Sequence, residues 1–246
     1  MFEYNELEMP KDCIFKISPS QIDKFFKYPS VWYKEEVLKE KEDFKNTAMS
    51  LGTVCHYIYE QVGLGLSDSI DTEYIENQIE TLSGYEDVDT AEVIRQYRGL
   101  CNVVVNEYII NNMPTHTEYP TYAEVTGNVY VGGTIDNITN SIVVDYKTVA
   151  TKPSVTNIPF NYKIQLLAYA YALSRSNHFI DRIRLVYGVK PTKTLPARCF
   201  VVTEEITYED WNLIEDTLKL MAETIIKVKK QPELTHLLFK SMKLKV

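Results

Sequence analysis

Between Gly133 and Thr148 the chain reads Gly-Thr-Ile-Asp-Asn-Ile-Thr-Asn-Ser-Ile-Val-Val-Asp-Tyr-Lys-Thr. Apolar alternation on either side of a turn-like Asn137–Ser141 stretch predicts a hairpin. With an even loop such as Thr139-Asn140, Asp136 lies opposite Val143, and the strand period of two puts Asp145 and Lys147 on Asp136's face. An odd loop turns Asp136 away. Asp145 follows Val143 and Val144 in an apolar strand, where burying a charge is costly without a partner. Two carboxylates with no thiolate beside them suit a hard cation such as Mg2+ or Mn2+ rather than zinc. Lys147 is not a ligand for such an ion. Its charge orients or helps deprotonate an attacking water and offsets negative charge on a pentavalent phosphorus.

The surrounding elements have to position these groups. Upstream, a helical pattern from about Ala48 to Leu64 carries Gly52, His56 and Glu60 at every fourth residue, which places all three on one face. Ser18-Pro19-Ser20-Gln21 reads as a helix start, with Ser18 as cap, Pro19 in the first turn and Gln21 closing a capping box. That helix runs to about Lys27 and ends at Pro29, and Trp32 and Tyr33 dock the next segment. Two further helices, about Thr72–Leu82 and Thr90–Asn112, form a helical insertion. Glu118 to Val149 gives three antiparallel strands with turns at Thr126-Gly127-Asn128 and Asn137–Ser141. After them come an amphipathic helix over Asn161–Ser176, strands over Asp181–Val189 and about Arg198–Thr203, and a long helix over Tyr208–Lys230 with Thr207 near its cap.

With 246 residues, 45% hydrophobic and 24% charged, the chain has globular composition and can bury a core. It is expected to be one mixed α/β domain over 1–246: a helical insertion at about 65–115, a core at about 116–205, and a C-terminal helix and basic tail at 206–246. The net charge of −8 excludes a whole-molecule cationic field for DNA or an anionic membrane, so a polyanion must be met locally. Six lysines against one glutamate between Ile226 and Val246 segregate the charge. Cys13, Cys55, Cys101 and Cys199 show no metal-ligand spacing and are expected to be reduced thiols. A start without a basic–apolar leader and the lack of any long apolar run predict a soluble cytoplasmic protein that does not engage a membrane. High Lys, Asn, Ile and Tyr use points to a bacterial cell or a phage-infected host.

The ordered motifs resemble the PD-(D/E)XK nuclease superfamily, and within it the RecB/AddB-like and phage-type exonucleases. Asp136 and Asp145-Tyr146-Lys147 match the two core strands, and Gly52-Thr53-Val54-Cys55-His56 with Glu60 matches an upstream G-x-x-x-H helix. Gln165-Leu166-Leu167-Ala168-Tyr169 matches a Q-x-x-x-Y helix, and Ser18 to Phe25 an S-x-S-x-x-x-x-F helix. The resemblance implies a restriction-endonuclease-like core, a central mixed sheet flanked by helices. It also implies Mg2+ or Mn2+ held by His56, Asp136, Asp145 and the Tyr146 carbonyl, and Lys147 as catalytic base or charge stabiliser. Gln165 and Tyr169 then position the substrate backbone or that lysine, and Glu60 either orients His56 or is simply solvated. An acidic residue on the first core strand contacts a second metal or the substrate. Glu118 and Glu124 both qualify, and Glu124 is preferred as nearer the hairpin. Tyr28-Pro29 stands where iron–sulfur members carry Cys-Pro, so no cluster is expected.

The activity so implied is metal-dependent hydrolysis of DNA from single-stranded or free ends, in phage or bacterial recombination, repair or degradation. Lys152, Lys163 and Arg175, with Arg182 and Arg184, are the candidates for neutralising a bound strand. A structure-specific endonuclease on the same fold and a non-catalytic DNA-binding subunit of a helicase–nuclease complex are the alternatives. The sequence has no Walker P-loop, so any motor comes from a partner, a helicase or a single-strand-annealing or recombination protein.

Overall fold

The computed structural model describes residues 8–40, 44–66 and 70–235. Its strands are β1 (Phe15–Ile17), β2 (His116–Thr126), β3 (Val129–Thr139), β4 (Ile142–Val149), β5 (Arg182–Val189) and β6 (Arg198–Glu205). Its α-helices are α1 (Ile22–Lys27), α2 (Pro29–Trp32), α3 (Thr47–Gly63), α4 (Thr72–Glu80), α5 (Thr90–Val104), α6 (Phe160–Arg175) and α7 (Tyr208–Lys230). All six strands form one mixed sheet in the order β1-β3-β4-β5-β6, with β2 paired to β3. The β1–β3 and β4–β5 pairs are parallel, and α6 supplies the crossover that a parallel β4–β5 pair needs. This is a mixed α/β, restriction-endonuclease-like fold with its central sheet flanked by helices.

Alternation along the strands separates two cores. Val143, Ile183 and Leu185 pack with α6 and α7 on one face, while Val144, Tyr146 and Val186 pack with α3 and α5 on the other. The 65–115 segment expected as an insertion thus supplies α5 to a main layer, with Val93, Tyr97, Leu100 and Val104 all buried.

Several local expectations are corrected. β1 has no sequence forecast, being three residues long. Ser18 forms no side-chain cap; its hydroxyl lies 3.3 Å from that of Ser20, and Pro19–Gln21 is a 3-10 turn leading into α1. α1 ends at Lys27 as expected, with Tyr28 outside helical geometry, and Pro29 then opens the short α2, where its missing N–H costs nothing. The segment after Val104 continues to Ile109 as a π-turn. The predicted cap of α7 is present as a capping box between Thr207 and Asp210. Lys240, Lys243 and Lys245 of the basic tail lie outside the described residues.

β2 runs along one edge of β3, so β1 and β4 share the other edge. β1 takes Val129–Val131 and β4 takes Asn137–Thr139, which leaves Gly132 to Asp136 without a strand partner on that side. At the head of this open stretch, β2 and β3 approach so closely that a Cβ on Gly132 would fall 2.6 Å from the Thr121 carbonyl oxygen. Gly132→Ala is therefore expected to push the strands apart and to destabilise the fold by about 1–3 kcal/mol, read as a lower urea midpoint at unchanged slope.

Candidate active site

The open edge of β3 is where the chemistry-bearing residues meet. Backbone N–H and C=O of Tyr146 both face the gap, since the β3–β4 ladder stops at Asn137↔Val144. Asp136 Oδ2 accepts from Tyr146 N at 2.8 Å, and His56 Nε2 lies 3.0 Å from the Tyr146 carbonyl oxygen. His56 Nδ1 lies 3.4 Å from Asp136 Oδ1. Asp136 and His56 thus close a ring with the backbone N–H and C=O of Tyr146, two groups that would otherwise be left unsatisfied in the protein interior.

The hairpin loop is even, as the sequence argument required, but it is Asn140-Ser141, one position later than expected. The groups do not converge on one face of the sheet. Ile135 and Ile138, three residues apart, both pack in the α6-side core, so the alternation slips by one at Asp136–Asn137. Asp136 consequently points into the gap, between His56 on the α3 side and Asp145 and Lys147 on the α6 side. Asn137, which sequence reasoning missed, is buried and donates from Nδ2 to the Tyr146 hydroxyl at 2.8 Å, fixing that strand.

Glu118 completes the acidic wall. Its backbone sits in the left-handed region, with φ 44°, and interrupts the ladder between the pairs Thr117↔Asn137 and Tyr119↔Ile135. Ligand atoms of His56, Glu118 and Asp136 all lie within 4.8 Å of one another. One imidazole and two carboxylates suit a hard divalent cation that keeps several waters. They border a cleft of about 470 Å³ that Gly52, Thr53 and Thr134 also line, and a Cβ on Gly52 would meet only open space.

Asp145 is not in that close group. It is buried, its Oδ2 lies 2.7 Å from Lys147 Nζ, and its Oδ1 accepts from Gln165 Nε2 at 3.1 Å. Tyr162 of α6 places its ring 5.2 Å from the same ammonium. Tyr169 is buried, with its hydroxyl close to Gly133: a Cβ there would lie 3.2 Å from the hydroxyl oxygen.

The remaining sequence candidates lie elsewhere. Glu124 is exposed and caps the β2–β3 turn by accepting from Asn128 N, so it is Glu118 that reaches Asp136. Both ring nitrogens of His56 are engaged by Asp136 and Tyr146, and the charge of Glu60 falls on Glu118 instead. Lys163 is held by Glu204 and Asp210, and Arg175 faces Glu215. Lys152 sits over the Phe200 ring, Arg182 contacts Asp181, and Arg184 bonds to Thr203 and Tyr108.

Charge crowding dominates the electrostatics. Burial, reinforced by Asp136 and Glu60, pushes the Glu118 carboxyl up to about 8. Burial also raises Asp145 to about 6, with Asp136 adding to the effect and Lys147 opposing it. For His56, burial works against the charged form, but Asp136 and Asp145 overcome it and carry the imidazole to about 9. Burial would raise Asp136 too, yet His56, Lys147 and the Tyr146 N–H hold it below the usual carboxylate range. Lys147 is likewise raised, because Asp145 and Asp136 outweigh the cost of burying its charge.

A sheet that opens onto clustered acids, an imidazole and a lysine is a fold and site of the nuclease class. The chain belongs to the PD-(D/E)XK nuclease superfamily, whose family model matches residues 16–234. A crystallised Eubacterium rectale protein, provisionally assigned as an exonuclease, superposes with a TM-score of 0.61 at 15% identity, over 87% of this chain and 81% of that one. LHK-Exo, solved in complex with dAMP, gives a TM-score of 0.37 at 14% identity, over 76% of this chain and 97% of that one. No curated protein matches the sequence. No helix among the described residues is long and apolar enough to cross a membrane.

The shifts fix a pH dependence. Between pH 4.5 and about 8 the folded protein keeps a proton on Glu118 that the unfolded chain has lost, and from 6.5 to about 9 the same holds for His56. The folded state binds more protons in both windows, so the melting temperature in EDTA should fall as pH rises from 6 to about 9. Glu118→Gln should remove much of that slope.

Proposed function

We propose that this chain is a Mg2+- or Mn2+-dependent deoxyribonuclease of the RecB-like type, without an iron–sulfur cluster, that hydrolyses phosphodiester bonds from DNA ends. The observation that carries the reading is the cluster of His56, Glu118 and Asp136, the first and last of them bonded to the Tyr146 backbone, with the Asp145–Lys147 pair across the strand. Asp136, Glu118 and His56, the last after giving up its ring proton, would hold the cation, with Asp145 and the Tyr146 carbonyl at its border. A bound divalent cation supplies water activation and charge neutralisation at phosphorus.

The chain's own residues do the rest. Tyr146 N–H and His56 keep Asp136 ionised and aimed at the cleft. Gln165 and Lys147 hold Asp145 from two directions, which fixes the ammonium while leaving its charge on the site. Because the Lys147 pKa is raised, it is protonated at neutral pH and serves as a charge stabiliser rather than as a base. Tyr169, a buried neutral hydroxyl beside the open edge, positions the substrate backbone. The lack of a side chain at Gly52 leaves the cleft free for a strand to enter.

The description of the Eubacterium rectale neighbour as an exonuclease supports attack from ends. Bacterial or phage DNA recombination, repair or degradation is the setting we assign, in the cytoplasm, with a helicase or annealing protein supplying the DNA strand.

End-labelled single-stranded DNA should be degraded with Mg2+ or Mn2+ and not in EDTA. Lys147→Ala should cut the rate by roughly 10²–10³-fold; equal or absent activity in both proteins ends the assignment. Covalently closed single-stranded circles should survive, and their cleavage would mark an endonuclease instead. Gly52→Ala should stabilise the fold by about 1 kcal/mol, whereas Gly52→Phe, with a melting temperature no lower than wild type, should block cleavage by filling the cleft.

A further inference from the structure

A second groove, of about 660 Å³, is lined in part by the Ser18–Gln21 turn. Its walls come from β1, the Ser18–Gln21 turn and the segment after α2, all within residues 13–39, and from the end of α7, which is distant in sequence. Lys16, Lys39 and Lys229 line it, together with Ser18, Ser20 and Gln21. All three lysines are exposed, and among the described residues none is ion-paired to a carboxylate. Lys229 donates to the Ile14 carbonyl and sits 5.8 Å from the Phe15 ring, which holds its ammonium at the groove. Glu36 is the one carboxylate on the lining, so the groove is net cationic in a protein of net charge −8.

One further observation joins this groove to the site. Pro19, in the middle of the lining turn, packs on the open edge of β3, where a Cβ on Gly133 would lie 3.5 Å from Pro19 Cδ. Gly133 stands three residues before Asp136 on an extended strand, so the turn lies about 10 Å along the edge from the acidic cluster. By contrast, Lys163 and Arg175, nearer the core in sequence, already face carboxylates of β6 and α7.

We propose that this groove is a second DNA-contact site, in which Lys16, Lys39 and Lys229, with the hydroxyls of Ser18 and Ser20, hold the sugar–phosphate backbone of the strand a few nucleotides from the bond being cut. The identity of the ligand rests on the nuclease reading; the site itself is tested by binding alone. Fluorescence anisotropy of labelled oligothymidylate is measured in EDTA, where no cleavage interferes, across a salt series.

Wild type should bind, and the Lys16→Gln/Lys39→Gln/Lys229→Gln protein should bind at least tenfold more weakly at about 50 mM salt, with the slope of log affinity against log salt smaller by about 2. The corresponding Lys→Arg triple variant should bind like wild type, and so should Lys45→Gln/Lys190→Gln/Lys193→Gln, which removes equal charge elsewhere. Absence of binding by wild type, or an unchanged slope in the groove variant at a wild-type melting temperature, overturns the site. Equal losses in the two Gln variants would do the same, since net charge would then explain the effect. If binding depends on the groove but Mg2+ brings no cleavage, the nuclease reading fails and the groove stands.

Discussion

The site depends on two backbone groups of Tyr146, its N–H and its C=O, that have no strand partner. One edge of β3 is divided between β1 and β4, and neither strand covers the stretch from Gly132 to Asp136. The facing backbone of Tyr146 must find other partners, because a buried donor or acceptor left alone costs about 1–3 kcal/mol. Asp136 and His56 meet that need. One constraint therefore both satisfies the sheet and places a carboxylate and an imidazole at the mouth of a cleft. A continuous ladder between β3 and β4 would remove the cleft and the reason for these side chains to point into it.

The gathered acids create an electrostatic problem that the described side chains solve only in part. Lys147 neutralises Asp145, and His56 neutralises Asp136. Glu118 has no such partner, and burial beside Asp136 and Glu60 drives its proton affinity up. The strained backbone at Glu118 keeps this third acid in place, at an energetic cost that the rest of β2 must offset through its long pairing with β3. A site that is short of positive charge by one group is one prepared to accept a cation. Cation economy extends beyond the site: lysines near the core are used on carboxylates of β6 and α7, while unpaired ones line the groove at the Ser18–Gln21 turn.

Much of the fold was legible in the sequence because the signals were local. The G-x-x-x-H spacing puts Gly52 and His56 on one face of a helix by its 3.6-residue period, and Val143-Val144-Asp145 marks a buried strand. Glu118 was not legible in the same way. Counted back from the Gly127-Asn128 turn in an unbroken ladder, Tyr119 would face Asp136, but the register shifts by one between Glu124 and Thr126 and brings Glu118 opposite instead. The slip at Asp136–Asn137 likewise defeats a strict period of two, which is why a shared face was the wrong picture even though the hairpin loop is even.

The sequence by itself determined which groups are available and which short elements carry them: a carboxylate before a turn, an Asp-Tyr-Lys strand, a histidine on a helix face and a Gln165–Tyr169 pair on another. Dihedral preferences and hydrophobic periodicity act over a few residues, so these are written locally. Only the tertiary structure decided which of the acids meet, which lysines are already paired, and where the sheet stays open. Those outcomes follow from irregularities in strand pairing and from contacts between segments far apart in the chain, whose energies no local pattern contains.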